Sequence, residues 1–151
     1  MNDLDFDGFA QEAARRLRRA VPPAVGVDAA ADAVADALAW AWEHRAELDD
    51  LRNPHGYLYR IAVNAGRRRR RELTLPPVDT VTLPEVEPAL VPALMALSTM
   101  QRQVVWLVHG CEWTYGETAE ALDISASAVG THLTRAMTRL RTALGEEADH
   151  G

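Results

Sequence analysis

The sequence lacks lysine and several patterns that define large classes of proteins. It contains no lysine, so all sixteen basic side chains are arginines. Its one cysteine, Cys111, cannot form an internal disulfide, which fits a reducing compartment. No apolar run approaches the roughly 18 residues that span a bilayer, and the acidic N-terminus is unlike a secretory signal. We therefore expect a cytoplasmic protein without a membrane-spanning segment.

Motifs typical of enzymes are also missing. The chain has no glycine-rich phosphate loop, no Gly-x-Ser-x-Gly elbow and no His-Glu-x-x-His motif. His109, Cys111 and Glu112 are close in sequence, but no second pair of ligands stands at metal-site spacing. We expect a protein that is not an enzyme and that uses no cofactor or metal ion.

Charge is distributed unevenly along the 151 residues, whose formal net charge is −6. Residues 1–50 carry 5 arginines against 11 acidic side chains, whereas residues 51–72 carry 7 arginines against Glu72 alone. Such a chain can present an acidic surface to a protein partner and a basic surface to a phosphate backbone. The charge pattern therefore allows both kinds of partner.

Proline divides the chain. Five of the eight prolines fall within residues 73–93, where each removes an amide donor and disfavours helix in the residue before it. On either side the apolar residues recur at helical spacing, and no alternating run of Val, Ile or Thr is typical of a strand. We predict an all-α fold of two small helical domains, residues 1–72 and 94–145, with a proline-rich linker at 73–93 and a tail at 146–151.

The first domain is predicted to be a bundle of three helices. The apolar spacing indicates a first helix that ends near Pro22. Asp28 is expected to cap a second helix that runs to about Leu48. A turn signal at residues 52–54 then introduces the third helix, which places Ile61 on its inner side.

The second helix carries an acidic stripe. Asp28, Asp32 and Asp36 repeat every four residues and therefore share one helix face. The stripe is either a solvated surface or a docking surface for a basic protein partner. Trp40 and Trp42 share this helix, and both cannot easily be buried on one narrow face, so one of them is expected to be a contact residue.

The third helix ends in five consecutive arginines, Arg67 to Arg71. Their guanidinium groups repel one another unless anions are close, and DNA phosphates are suitable anions. In isolation, cations that stabilise a helix C-terminus explain the run equally well. Upstream, Tyr57 and Tyr59 offer stacking surfaces for unpaired bases, although core packing explains at least one of them.

The second domain contains a helix, a short turn and a longer helix. Thr114 and Glu117 form the Thr-x-x-Glu capping box that starts the first of these helices. Asp123 stands in the turn, where a residue that tolerates left-handed backbone is needed. Ser125 or Ser127 can cap the longer helix. This arrangement is typical of a helix-turn-helix, although a hairpin that merely packs would share the pattern.

The longer helix separates an inner face from an outer one. Val129 and Leu133 are predicted to lie in the core, which turns Ser127 and Thr131 outward to reach base edges in a major groove. Further along the same outer face, the residues better placed for phosphates are Thr134, Arg135 and Arg139.

The chain resembles the extracytoplasmic-function sigma factors of bacterial RNA polymerase. Three segments carry the resemblance, and together they cover most of the chain. ADAVADALAWAWEHRAEL is similar to the polymerase-binding helix of region 2, and PHGYLYRIAVNAGRRRRRE to the promoter-contacting helix that follows it. LSTMQRQVVWLVHGCEWTYGETAEALDISASAVGTHLTRAMTRLRTAL is similar to region 4. The resemblance implies a factor that joins core RNA polymerase, binds promoter DNA and directs initiation, with an anti-sigma protein as a further partner.

The resemblance also implies which residues meet each partner. The residues expected to bind polymerase are Asp32, Asp36 and Trp40. The loop Leu51 to Gly56 matches the segment that captures a flipped base of the minus-ten element. The neighbouring residues expected to face DNA are Asn64, Arg67, Arg68 and Arg71. For the minus-thirty-five element they are Ser127, Thr131, Thr134 and Arg135, with Arg139 beside them.

Four positions depart from the family pattern. Ala35 stands where the family usually has Gln, and Val63 where a basic residue is common. Gly130 and His132 occupy positions that are commonly Lys and Arg, and a glycine inside a helix costs about 1 kcal/mol relative to Ala. Two alternatives therefore stay open. One is a DNA-binding regulator that does not engage polymerase, and the other is an interaction protein without useful DNA binding.

Overall fold

The computed structural model of the chain describes residues 1–72 and 88–150, and the helices found there with no strand confirm the all-α fold. The helices are α1 (Asp3–Ala20), α2 (Pro22–Val25), α3 (Val27–Glu43), α4 (Arg45–Leu48), α5 (Pro54–Glu72), α6 (Leu90–Met95), α7 (Thr99–Val105), α8 (Tyr115–Leu122) and α9 (Ala126–His150). A π-helical turn, Trp106–Gly110, extends α7. No described helix combines the length and the apolar character needed to cross a membrane.

Helices α1 to α5 form the first lobe, in which α1, α3 and α5 are the three long helices that the sequence predicts. Small side chains line the inner face of α3, where Ala33, Ala37 and Ala41 are fully buried. Because alanine adds little bulk, α3 lies close against α5, and Leu17 and Leu58 fill the space between the helices. Burial of each such leucine stabilises the fold by about 1.5–3 kcal/mol.

The start of α3 differs from the prediction. Asp28 was expected to cap the helix, but Gly26 occupies the N-cap position with a φ of 88° and no side chain caps the helix. The single turn α2, opened by Pro22 and Pro23, occupies the preceding residues, so the chain needs a left-handed residue to redirect it. Asp28 lies inside the first turn instead, where its charge favours the positive end of the helix dipole.

Helices α6 to α9 form the second lobe. Helix α6 begins at Leu90, inside the range predicted for the linker, while residues 73–87 of that range lie outside the described residues. The predicted capping box of α8 is confirmed, since the side chains of Thr114 and Glu117 each accept a hydrogen bond from the other's backbone N–H. Asp123 is left-handed, with a φ of 55°, as the turn requires.

The two lobes are packed against each other through one continuous apolar core. Leu107, Trp113 and Ala121 of the second lobe belong to the same buried cluster as Leu58 and Tyr59 of the first. Helix α8 lies along α5, so the first helix of the helix-turn-helix contacts the helix that carries the arginine run. Apart from the glycines at positions 56 and 116, no local pattern in the sequence indicates this contact, which determines the candidate surfaces that are open.

Candidate nucleic-acid and polymerase interfaces

Helix α9 presents the outer face that the sequence predicts. Val129 is fully buried and Leu133 is 7% exposed, whereas Ser127 and Thr131 are exposed to solvent. The helix begins where Ser125 accepts a hydrogen bond from the backbone N–H of Ala128, at 3.0 Å, which makes Ser125 rather than Ser127 the cap. The side chain of Ser127 is thereby left on the outer face.

Further along α9, the three residues expected near phosphates are all exposed. Thr134 projects from the helix. Arg135 projects beside it, and its guanidinium forms no ion pair among the described residues. Arg139 is held in place, since its guanidinium donates to Gln101 Oε1 and to the carbonyl oxygen of Ala96, both at 3.0 Å. These bonds orient the Arg139 cation beside the start of α7 instead of leaving it to move in solvent.

The five arginines at the end of α5 divide into two groups. Arg67, Arg68 and Arg71 are exposed, as is Asn64 one turn before them. Arg69 and Arg70 turn back toward the lobe, where Arg70 donates to the carbonyl oxygen of Val25 at 3.0 Å. The exposed group contains every arginine of the run that the sequence assigned to DNA.

Arg69 links α5 to the acidic stripe of α3. Its guanidinium lies 2.9 Å from Asp36 Oδ2 and 3.7 Å from Asp32 Oδ2. The hydrogen bonds that Arg69 donates to Asp36, and then the charges of both acids, raise the pKa of Arg69. Asp36 is half-buried in this pair, whereas Asp32 is exposed. Of the two acids expected to bind polymerase, Asp32 is therefore the one whose carboxylate is more open to a partner.

The two tryptophans of α3 have different environments. Trp40 is half-buried, stacked on His44 with ring centroids 4.3 Å apart and inclined against Tyr57. Trp42 is 43% exposed and lies under the guanidinium of Arg45. The sequence assigned polymerase binding to Trp40, but Trp42 is the tryptophan that offers more surface to a partner.

Helix α8 covers the loop expected to meet the minus-ten element. A Cβ on Gly56 would overlap the carbonyl oxygen of Glu117 and would lie 3.0 Å from Glu120 Cβ, so only glycine allows this approach. On the other side of the contact, a Cβ on Gly116 would lie 3.2 Å from Asn53 Oδ1. This part of the segment is therefore covered while the two lobes are packed together.

An ion pair joins α1 to α8 at the same junction. Arg16 donates to both carboxylate oxygens of Glu117, at 2.6 and 2.9 Å, and the two side chains are only 15% and 16% exposed. Burial raises the pKa of Glu117, but the hydrogen bonds from Arg16 and from Thr114 outweigh it and lower that pKa overall. Glu117 therefore closes the capping box and binds the other lobe with one carboxylate.

Tyr59 does not offer the stacking surface that the sequence suggested. It is 3% exposed and meets Trp113 edge to face, with ring centroids 5.6 Å apart. Burial raises its pKa well above the usual value. Tyr57 is half-buried, so it is the tyrosine of the pair with surface still open.

Several contacts between the lobes could not be found from the sequence. Arg16 and Glu117 are separated by 101 positions, and Arg16 is one of four arginines that stand between positions 15 and 19. Trp106 donates from its indole nitrogen to the carbonyl oxygen of Ala20 at 3.3 Å, and no local pattern marks that pair. Only the glycines at 56 and 116 carried a signal, because glycine permits close backbone approach.

The fold and these surfaces define a helical DNA-binding protein with a helix-turn-helix in its second lobe, and comparisons narrow this class. The family described as Sigma-70, region 4 matches residues 89–140. The RNA polymerase sigma-E factor of Streptomyces coelicolor is 34% identical over 141 residues, which cover 86% of this chain and 78% of that protein.

Two solved structures have a similar fold. The sigma factor RpoE, in complex with the anti-sigma factor NepR from Bartonella quintana, aligns with a TM-score of 0.68 and 22% identity over 93% of this chain and 97% of that one. CnrH, in complex with the cytosolic domain of CnrY, aligns with a TM-score of 0.62 and 24% identity over 96% and 90%. At these identities the likeness shows the fold.

The chain belongs to the RNA polymerase sigma factors, in their extracytoplasmic-function group. The identity to the Streptomyces factor extends over both lobes, since it covers 86% of the chain. A protein that shared only the helix-turn-helix with that factor would match it over the second lobe alone. The two alternatives to a sigma factor are therefore not favoured.

Proposed function

We propose that this chain directs core RNA polymerase to promoters through three surfaces. The exposed part of the acidic stripe on α3, centred on Asp32, binds core polymerase. The exposed arginines at the end of α5 contact DNA around the minus-ten element, and the outer face of α9 reads the minus-thirty-five element. The chain performs no covalent chemistry itself and acts in the cytoplasm, where polymerase and promoter DNA are found.

The observation that carries this proposal is the division of α9 into a buried and an exposed face. Burial of Val129 and Leu133 fixes the rotation of the helix, so the hydroxyls of Ser127 and Thr131 lie on the outside. Short hydroxyl side chains at the start of a helix can reach base edges when that helix enters a major groove. The opposite rotation would have left only apolar side chains to face DNA.

The closed arrangement of the lobes adds a step to this function. Because α8 covers Asn53 and the first turn of α5 at Gly56, this segment can capture an unpaired base only after the lobes part. Unstacking a base already costs a few kcal/mol, so the contacts between the lobes add to that cost. We propose that binding to polymerase holds the lobes apart. An anti-sigma partner would act in the opposite sense by keeping them together.

Reconstituted transcription tests the proposal. The purified chain is added to core RNA polymerase from Streptomyces coelicolor on fragmented genomic DNA, and the 5′ ends of the RNA are mapped. We expect new start sites that share two upstream sequence elements and that are absent with core polymerase alone. The same set of start sites with and without the chain would overturn the proposal.

A further inference from the structure

Tyr115 lies beside Gly130, the first of the two glycines in α9. Gly130 stands one turn after Ser127 and one turn before Thr134, so it belongs to the centre of the proposed DNA-reading surface. The edge of the Tyr115 ring, at Cε2, lies 3.6 Å from the position that a Cβ on Gly130 would take. Apart from Val129, Thr131 and the neighbouring backbone of α9, it is the one heavy atom of the described residues within 4 Å of that position.

The position of Tyr115 is set by the structure around it. It is the first residue of α8, directly after Thr114, whose capping box fixes the backbone there. The left-handed turn at Asp123 then sets how α8 approaches α9. The Tyr115 side chain remains 45% exposed although its ring borders the recognition helix. The Tyr115 ring is thus held next to Gly130 and stays partly open to solvent.

We propose that Tyr115 is a specificity-determining residue that replaces the missing side chain at position 130 and contacts a base edge through its hydroxyl. A phenol supplies an apolar ring to cover the gap and a hydroxyl that both donates and accepts hydrogen bonds. A base-edge contact changes the preferred sequence, whereas a phosphate contact weakens all sequences alike. This inference rests on the proposed DNA-reading role of α9.

The test uses the chain bound to core RNA polymerase and a library of duplexes randomised upstream of the start site. Bound duplexes are selected and sequenced for the wild type and for the variants Tyr115→Ala, Tyr115→Phe and Gly145→Ala. We expect Tyr115→Ala to reduce the preference at one or two adjacent base pairs about five- to tenfold, within the range of a lost base contact. Tyr115→Phe should lower the preference at the same base pairs.

Gly145→Ala is the matched control in α9. A Cβ on Gly145 meets nothing within 4 Å, and the residue lies beyond the proposed DNA-reading surface, so this variant should keep the wild-type preferences. Thermal midpoints measured by circular dichroism establish that each variant folds. If Tyr115→Ala does not fold, Tyr115→Phe decides the question, since it keeps the ring and removes only the hydroxyl.

Two results would overturn the role of Tyr115 while leaving the proposed function intact. The first is that Tyr115→Phe has the wild-type preference at every base pair. Where Tyr115→Ala folds, it would have to show the wild-type preference as well. The other is an equal loss of affinity for all duplexes, which indicates a phosphate contact. A wild-type chain that enriches no upstream sequence would instead contradict DNA reading by α9, and the inference would fall with it.

Discussion

At the scale of single residues, the junction between the lobes depends on Gly56. Its missing side chain lets the backbone of α8 approach α5 so closely that a Cβ would overlap the Glu117 carbonyl oxygen. Backbone atoms cannot move aside as the end of a flexible side chain can, so even the smallest addition forces the two helices apart.

We therefore expect Gly56→Ala to lower the free energy of unfolding by about 1–3 kcal/mol and to increase the radius of gyration measured by small-angle X-ray scattering. Gly8→Ala is the matched control, because Gly8 is exposed in α1 and a Cβ there meets nothing within 4 Å. That change should be neutral, or stabilising by up to about 1 kcal/mol. Equal behaviour of the two variants would contradict the close approach at Gly56.

We expect His55 to make the junction sensitive to pH. Its ring stacks on Phe9, and its Nδ1 is buried without a hydrogen-bond partner among the residues that the structure describes. Burial first, and then the charge of Arg16, lower the pKa of His55 below its usual 6.5, although Glu117 and Glu12 oppose this. The neutral ring therefore belongs to the folded, closed chain.

Because the unfolded chain takes up the His55 proton more readily, the stability due to this residue is complete above pH 6.5 and declines as the pH falls below it. We expect the thermal midpoint to drop between pH 7.5 and pH 5.5 by more in the wild type than in His55→Gln. A drop of the same size in both proteins would show that His55 does not couple folding to pH.

At the scale of helices, local sequence signals predicted the start and the end of a helix correctly where residues close in sequence satisfy its terminal backbone hydrogen bonds. The capping box at Thr114 and the left-handed Asp123 mark the start and end of α8 within a short stretch of sequence. The spacing of the apolar residues likewise predicted the inner face of α9, because that spacing is also a local feature of the sequence. The cap of α9 stayed ambiguous because Ser125 and Ser127 both have the right chemistry.

Substitution of the two serines separates their roles. Ser125→Ala removes the hydrogen bond to the Ala128 N–H and should lower the free energy of unfolding by about 1 kcal/mol. Ser127→Ala is the control, since its side chain lies on the outer face, and it should change stability by less than about 0.5 kcal/mol. Chemical denaturation measures both. A larger loss from Ser127→Ala would reassign the cap and the outer face together.

The acidic stripe on α3 can be tested in the same paired way. Asp32 is exposed, whereas the carboxylate of Asp36 is held by Arg69. We expect Asp32→Ala to weaken binding to core polymerase several-fold in a titration, without loss of helical content. Asp7→Ala, which removes an exposed acid from α1, is the control and should bind as the wild type does. Equal affinity of all three proteins would exclude Asp32 as a docking residue.

At the scale of the whole molecule, the packing of the lobes was the feature that the sequence did not predict. The Arg16–Glu117 pair and the Tyr59–Trp113 contact join residues that are distant in the chain. In the sequence, each of these four residues has the local pattern of an ordinary surface charge or an ordinary core aromatic. No local pattern therefore indicates the residue that it contacts in the other lobe. The sequence also did not show which arginines of the run turn inward, since that depends on where α3 places Asp36.

The Arg16–Glu117 pair is expected to be a main stabiliser of the closed chain. Because both side chains are largely buried, Arg16→Ala leaves Glu117 without its partner and should cost about 3 kcal/mol of stability. Removing both groups should cost less than the sum of the single changes, as a double-mutant cycle measures. Additive single effects would mean that the pair does not couple the lobes.

The central claim is that the two lobes contact separate parts of one promoter. Hydroxyl-radical footprinting of the chain with core polymerase, at start sites mapped by transcription, tests it most directly. For the wild type we predict two protected segments of DNA. In a triple variant, in which Ala replaces Ser127, Thr131 and Arg135 together, we predict that only the upstream segment loses its protection. Upstream protection that persists unchanged in this triple variant would contradict the claim.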